Sequence, residues 1–191
     1  MFRQYIKPAL FCFLILTIIT GLIYPLFVTA IAQLLFPKQA SGSLMYRNGK
    51  IVGSSLIGQA FDDPKYLWGR LSAASPKYNA SSSSGSNIGP SNPALIEKVN
   101  GRIKALKEFD PHNANPIPVD LVTSSASGLD PHISLAGAYY QVPRIAKKRG
   151  IPESVLREII RKNTTGRWLG LLGEPVVNVL KVNLDLDSYR K

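Results

Sequence analysis

The chain has 191 residues, a formal charge of +11 from 23 basic and 12 acidic side chains, 45% hydrophobic content and one Cys. That length matches one domain of ordinary size and leaves no room for a multi-span transporter. One Cys and two His rule out an internal disulfide and fall short of the soft ligands that a zinc or iron-sulfur centre takes. The excess of base points to nucleic acid or an anionic membrane surface, so where it sits along the chain decides between them.

No Asp, Glu, Lys or Arg occurs from Ala9 to Phe36, a run of 28 residues bracketed by Arg3 and Lys7 on one side and Lys38 on the other. As a helix at about 1.5 Å per residue this run spans roughly 42 Å, more than the roughly 30 Å hydrocarbon core of a bilayer. The chain therefore reads as a short cytoplasmic tail at 1–8, a transmembrane helix at 9–36 and a soluble extracytoplasmic domain at 37–191. Gly21, Pro25, Thr17, Thr20 and Thr29 interrupt the apolar run. Membrane helices tolerate such residues where a neighbouring helix packs on them, which makes Gly21 and Pro25 candidate partner contacts; a lone lipid-facing tether is the competing reading. Ala30-Ile31-Ala32 fits a signal-peptide cleavage pattern, but the apolar run continues through Leu34, Leu35 and Phe36 beyond that point. A signal core is about 7 to 15 residues long, so an uncleaved anchor is the preferred reading. Basic residues flank the run on both sides, and a short tail kept inside with a long domain exported is the simpler arrangement.

In the domain, Leu44-Met45-Tyr46-Arg47 and Lys50-Ile51-Val52 flank Asn48-Gly49, the dipeptide of a type I′ turn, which predicts a β-hairpin. A third apolar segment from Leu56 to Phe61 is expected to join it. From Leu71 to Pro93 the composition shifts to Ser, Gly, Asn and Pro, which predicts a long loop. Asn92-Pro93 supplies a helix N-cap and a proline at the first helical position, and Ile96, Val99, Ile103 and Leu106 recur at helical spacing over 93–108. Val119 to Thr123 reads as a short buried strand. Ser134 caps a second helix running toward Arg149, with Pro143 as a kink or early end and Gly150 as its stop. Pro152 opens a third helix with Val155, Leu156, Ile159 and Ile160 as its apolar stripe. Leu180, Val182, Leu184 and Leu186 alternate with polar residues, the period of a half-buried strand. The expected fold class is α+β, a mixed domain on a single N-terminal transmembrane helix.

Outside the anchor, 21 basic residues face 12 acidic ones, and Arg144 to Arg167 alone holds 8 basic against 2 acidic. Such a segment suits lipid headgroups, an acidic protein face or plain solvent. No nucleic-acid motif accompanies it, so nucleic acid is not expected as a partner. The marks of an anchored enzyme are also missing: there is no G-x-S-x-G and no H-E-x-x-H, no set of S-x-x-K with K-T-G, and the one Gly-Lys, Gly49-Lys50, lies in the predicted hairpin and is followed by Ile51. No catalytic or metal-ligating residue is therefore named. Two segments, 85–93 with Asn87 and Asn92, and 124–134 with Ser127, Gly128, Asp130 and His132, have the composition of loops that bind small ligands at helix starts. Their plainer role is to cap helices and satisfy their own backbone.

Eight ordered blocks carry a family resemblance: GSSLIGQAF from Gly53, WGRLSA from Trp68, Tyr78-Asn79, GSNIGPSNP from Gly85, PVDLVT from Pro118, SASGLDPHIS from Ser125, QVPRIA from Gln141 and GEPVVNVL from Gly173. The sequence resembles the C subunit of the Kdp potassium-transporting ATPase over essentially its whole length. One departure is Leu71, where that family commonly has Pro after Gly-Arg. The resemblance implies an accessory subunit of a bacterial inner-membrane complex for ATP-driven, high-affinity K⁺ uptake. Its partners would be a channel-like potassium-translocating subunit and a P-type ATPase subunit, with Gly21, Pro25, Asn87 and Asn92 as the positions expected to contact them. It also implies a catalytic-chaperone role that raises the ATP affinity of the ATPase subunit, for which Ser127, Gly128, Asp130 and Gln141 are the positions to consider. ATP would then be held only in a complex with that subunit, whereas the topology above sets the domain across the membrane from cytoplasmic ATP. The resemblance implies a D-K-T-G aspartate on the ATPase subunit and a channel-like subunit that carries the ion, and this sequence has neither D-K-T-G nor a filter loop of the T-V-G-Y-G type. A membrane-anchored exported binding protein or enzyme independent of the pump is the alternative.

Overall fold

The computed structural model describes residues 3–189, and the chain divides into two compact units, 1–44 and 45–191. The first unit is helical: α1 (Arg3–Ile18), a π-helical turn (Ile19–Ile23), α2 (Tyr24–Leu35) and the short α3 (Pro37–Ala40). Gln4–Leu35 is long and apolar enough to cross a membrane, and none of its most apolar window is buried. The π turn has a local cause. Pro25 has no N–H and its ring crowds the carbonyl four residues back, and the ladder widens there, with the Tyr24 N–H reaching Ile19 O. Thr20 Oγ1 donates to Leu16 O at 2.7 Å one turn earlier. A π turn holds one residue more than an α turn, so the faces of α1 and α2 are out of phase by about 100°.

The second unit opens with the hairpin β1 (Leu44–Arg47) and β2 (Lys50–Ser54), with Asn48 and Gly49 at φ 50° and 75° as a type I′ turn requires. Leu56 to Phe61 does not join it as a strand. The segment turns off the end of the hairpin, with Leu56 N–H donating to Ser54 Oγ at 3.1 Å and Ile57 N–H to Ser54 O at 3.4 Å, and the Gln59 side chain ties it back by donating to Val52 O at 2.8 Å. The loop through the seventies and eighties ends where Asn92 Oδ1 accepts from Ala94 N–H at 3.0 Å and starts α4 (Pro93–Phe109). On α4, Leu106 is buried and Val99 and Ile103 pack on the core, whereas Ile96 is exposed.

Val119–Leu121 is a 3-10 turn and not a strand. Five residues are too few for periodicity to separate the two, and Thr123 folds both its N–H and its hydroxyl back onto Val119 O. A three-stranded antiparallel sheet follows, ordered β3 (His132–Ser134), β5 (Val176–Asn178), β4 (Thr164–Thr165). In its register Ile133 faces Val177, and both are buried. Ser134 Oγ accepts from Gly137 N–H at 2.9 Å and caps α5 (Leu135–Tyr140). Gln141 breaks the expected long helix, and Pro143 sits in the first turn of α6 (Val142–Arg149), which Gly150 stops at φ 60°. Pro152 is the N-cap of α7 (Glu153–Lys162).

The last element corrects the sequence reading. Val179–Ser188 is a helix, α8, capped by Asn178, whose Oδ1 accepts from Lys181 N–H at 3.1 Å. Alternation at 180, 182, 184 and 186 hid a second pattern: Val179, Val182, Asn183 and Leu186 are buried at helical spacing. The strand lies just upstream, within GEPVVNVL.

The core is one cluster joining α4–α8, the sheet and the irregular segment at Leu67-Trp68. That segment is held by side chains. Leu67 N–H donates to Asn183 Oδ1 at 2.8 Å and Leu67 O accepts from Asn183 Nδ2 at 2.9 Å. Trp68 pairs in the same two-way fashion with Gln141, at 2.9 and 3.1 Å. Both residues are almost wholly buried, so each amide replaces the neighbouring strand that this backbone lacks. Replacing Gln141 by Ala strands a buried N–H and a buried C=O, and destabilises the domain by about 3 kcal/mol. Urea unfolding of the detergent-solubilised chain, followed by Trp68 fluorescence in a Trp168→Phe background, measures the loss.

Candidate functional site

Ser127, Gly128 and Asp130 lie in a hub where irregular segments meet. Residues 58–85 and 124–131 are joined by Gly58 N–H to Leu129 O (2.8 Å), Ser84 N–H to Ser127 O (3.0 Å) and Ser125 N–H to Leu71 O (3.0 Å). Ser72 and Ser83 hydroxyls donate to Gly128 O and Ser127 O at 2.7 and 2.9 Å. Two glycines permit the approach. A Cβ on Gly128, at φ 69°, would lie 2.5 Å from Ser84 O, and one on Gly58 would lie 2.6 Å from Asp130 O. Neither gap admits a side chain.

Arg70 is the hinge of the hub. Its Nη1 donates to Asp130 Oδ2 at 3.2 Å and its Nη2 to Ser124 O at 3.1 Å. It lies between a small cleft lined also by Asp62, Lys77, Tyr78 and Arg102 and a shallow depression lined also by Leu56, Ser127 and Asp130. Tyr78 donates to Arg70 O at 2.6 Å, and Arg102 donates to Gly69 O and Leu121 O at 3.2 and 3.0 Å. Burial raises the Tyr78 phenol above its usual range, so the group stays a neutral donor. Burial also lowers the Arg102 guanidinium.

Asp130 behaves as a cap and clamp. Its Oδ1 accepts from His132 N–H at 2.9 Å. Burial works against its charge, but hydrogen bonds from His132 and Arg70 outweigh it and hold the carboxyl below 3.8. The His132 ring lies between Asp130 (3.6 Å) and Asn178 (3.4 Å). Among the described residues it bonds no serine, threonine or cysteine that could act as a nucleophile, and no group of three or more His, Cys, Asp or Glu is gathered.

The structure brings Ser127, Gly128 and Asp130 together and sets Gln141 apart. Ser127 is exposed and Gly128 buried on one loop. Gln141 is 1% exposed, and its Oε1 accepts from Trp68 N–H and Arg144 while its Nε2 donates to Trp68 O and Gly137 O. All four hydrogen-bonding positions of that amide are occupied, so nothing remains to bind a nucleotide. Asn92 is the α4 cap, Asn87 is exposed at φ 49°, and Gly21 and Pro25 lie in and beside the π turn.

Sequence reasoning missed the arginines. Arg144 is 3% exposed and donates to Pro64 O, to Tyr66 O at 3.2 Å and to Gln141 Oε1 at 2.6 Å. With no carboxylate in contact, burial brings its pKa down to about 10. Arg102 and Arg144 lie 4.8 and 4.3 Å from the Trp68 ring centre. Arg149 donates to Lys65 O, Leu186 O and Asp187. For Arg144 and Arg149 the signal was the basic run, which does not tell an internal guanidinium from a solvated one, and for Arg102 there was none.

The chain thus joins a helix long and apolar enough to span a bilayer to an α+β domain whose polar groups mostly secure its own loops. Residues 6–188 match the KdpC family, K⁺-transporting ATPase, c chain. Three relatives, each named potassium-transporting ATPase KdpC subunit, extend the match to nearly full length. The protein from Polaromonas naphthalenivorans is 58% identical over 98% of this chain and 96% of its own. That from Sorangium cellulosum is 57% identical over 97% and 98%, and that from Dechloromonas aromatica 57% over 99% and 100%. The chain belongs to the KdpC family.

Acid stability follows from Asp187. Its burial opposes ionisation, but hydrogen bonds from Arg149, Arg47 and Tyr66 prevail and hold its pKa below 3.8. A depressed carboxyl contributes stability that is complete above the unfolded value and lost as pH falls through the folded one. Asp187→Asn is therefore expected to lose about 2 kcal/mol at neutral pH, from the missing charged hydrogen bonds, and to show a flatter stability profile below 3.8 than the parent chain. Urea midpoints measured across that range test both.

Proposed function

We propose that the chain is the accessory subunit of a K⁺-transporting ATPase, carrying neither the ion path nor the ATP-hydrolysing centre. Membership of the KdpC family over residues 6–188 carries this reading. The same name on relatives aligned from end to end supports it. In this reading the transmembrane helix packs against the channel-like potassium-translocating subunit, with Gly21 and Pro25 shaping the contact. The domain lies on the extracytoplasmic side over the K⁺ entrance, in the inner membrane of a bacterium, and also stabilises the P-type ATPase subunit.

ATP belongs on the ATPase subunit in this scheme. Any chaperone effect on its affinity acts through the assembled complex, since Gln141 is fully engaged in the core and the sequence has no Gly-Lys followed by Ser or Thr to cradle phosphates. What the domain offers a partner is a rigid surface of cross-linked loops, which loses little conformational freedom on docking.

A tagged chain purified in mild detergent is expected to bring both large partners with it, and its deletion to abolish ATP-driven K⁺ uptake. Recovery of the chain alone would overturn the reading. Gly21→Leu, which fills the close-approach position of the helix, should reduce co-purified partner several-fold while the chain still sediments with membranes. For topology, Ser82→Cys in a Cys12→Ala background should react with a membrane-impermeant thiol reagent from the extracytoplasmic side. Labelling only from the cytoplasmic side would reverse the orientation proposed.

A further inference from the structure

The hairpin loop at 166–173, between β4 and β5, ends in large apolar side chains: Trp168, Leu169, Leu171 and Leu172 are 67, 75, 80 and 60% exposed. The display is built. Trp168 N–H donates to Leu172 O at 2.8 Å, and Leu172 N–H returns a bond to Trp168 O at 3.0 Å. At the neck Arg167 Nη2 donates to both oxygens of Glu174, at 2.9 and 3.0 Å. Leu169 turns the tip at φ 51°, a left-handed conformation that disfavours a side chain with a Cβ. Four adjacent apolar side chains held outward on an ordered loop mark a contact surface, and scattered surface leucines do not.

We propose that this tip inserts into the interfacial zone of the bilayer leaflet that faces the domain, an inference that rests on the helix at Gln4–Leu35 spanning the membrane. Reach favours lipid: only residues 36–43 separate the end of α2 from the start of β1, a tether of at most about 30 Å when fully extended. The bilayer is thus a permanent neighbour of the domain. The chemistry matches as well. An indole suits the headgroup level and leucines the acyl chains beneath it. No charged residue lies between Arg167 and Glu174, so insertion desolvates no ion. Charge acts in the same direction, since the domain's 21 basic against 12 acidic residues attract anionic headgroups.

The two tryptophans make the test direct, because Trp68 is 3% exposed and Trp168 is open. The full chain, without partners, is reconstituted into vesicles of phosphatidylethanolamine and phosphatidylglycerol brominated at shallow acyl positions. Trp168 emission is taken as the difference from the Trp168→Phe variant. Brominated lipid should remove most of that emission and acrylamide little of it, and Leu171→Asp should reverse the two. Emission quenched freely by acrylamide and untouched by brominated lipid would overturn the inference. So would a Trp168 that becomes shielded, from both quenchers, only when the partner subunits are added, since that identifies a protein pocket. Vesicle flotation separates the two readings: a chain that fails to float ends the membrane-spanning reading along with this one, and a floating chain with a water-exposed Trp168 ends this one alone.

Discussion

The domain depends on satisfying the backbone of a buried segment that belongs to no sheet. From Pro64 to Arg70 the chain passes from the surface into the core, buried at Leu67–Gly69, and its peptide groups are answered by side chains: Arg144 and Arg149 on the carbonyls of 64–66, Asn183 on Leu67, Gln141 on Trp68, Arg102 on Gly69 and Tyr78 on Arg70. A buried peptide group left without a partner costs about 1–3 kcal/mol, so each of these side chains must be in place. They come from α4, α6, α8, the residue between α5 and α6 and, for Tyr78, the loop that follows the strip. The helices are therefore set not only by apolar packing but also by one strip of backbone that they share.

That requirement accounts for three of the 23 basic residues. Arg102, Arg144 and Arg149 place guanidiniums against carbonyls and aromatic faces. A planar fork with several donors suits this task, where a lysine ammonium would not. Arg144 carries its charge with no carboxylate in contact, and the lowering of its pKa to about 10 reflects that burial. The group stays protonated at neutral pH because carbonyl dipoles, the Gln141 oxygen and the Trp68 ring replace water around it. The basic run from Arg144 to Arg167 thus serves two ends. Arg144 and Arg149 brace the interior, while Arg157, Arg161 and Arg167 pair with surface carboxylates.

Features written in adjacent residues were legible in the sequence. Asn48-Gly49, Asn92-Pro93, Ser134 and Gly150 each specify a local conformation by themselves, and the hairpin, α4 and the helix stops stand where they predict. Features that depend on distant residues were not. Leu180 to Leu186 alternates as a strand does, but Asn178 starts a helix one step earlier and Asn183 is buried to serve Leu67. The Val119 run is too short for its period to be read, and Thr123 closes it into a turn. At the site, Ser127, Gly128 and Asp130 share a loop because they are close in sequence. The role of Gln141 as a stand-in strand becomes visible only once Trp68 is seen beside it.

Two opposite ways of treating polar groups follow from the same economy of size. Inside, a domain of this length has few regular strands, so it closes its loops with amides, hydroxyls and guanidiniums. Gly128 and Gly58 allow the backbones to touch. Outside, at 166–173, it leaves four large apolar side chains uncovered while fixing the backbone beneath them. Ordering a loop in advance removes the entropy that binding would otherwise have to overcome. The arrangement thus suits a protein whose contribution is a held position: the π turn phases one helix and the loop hub stiffens one face. The apolar tip adds a second point of attachment, and two points fix the attitude of a tethered domain where one leaves it free to swivel.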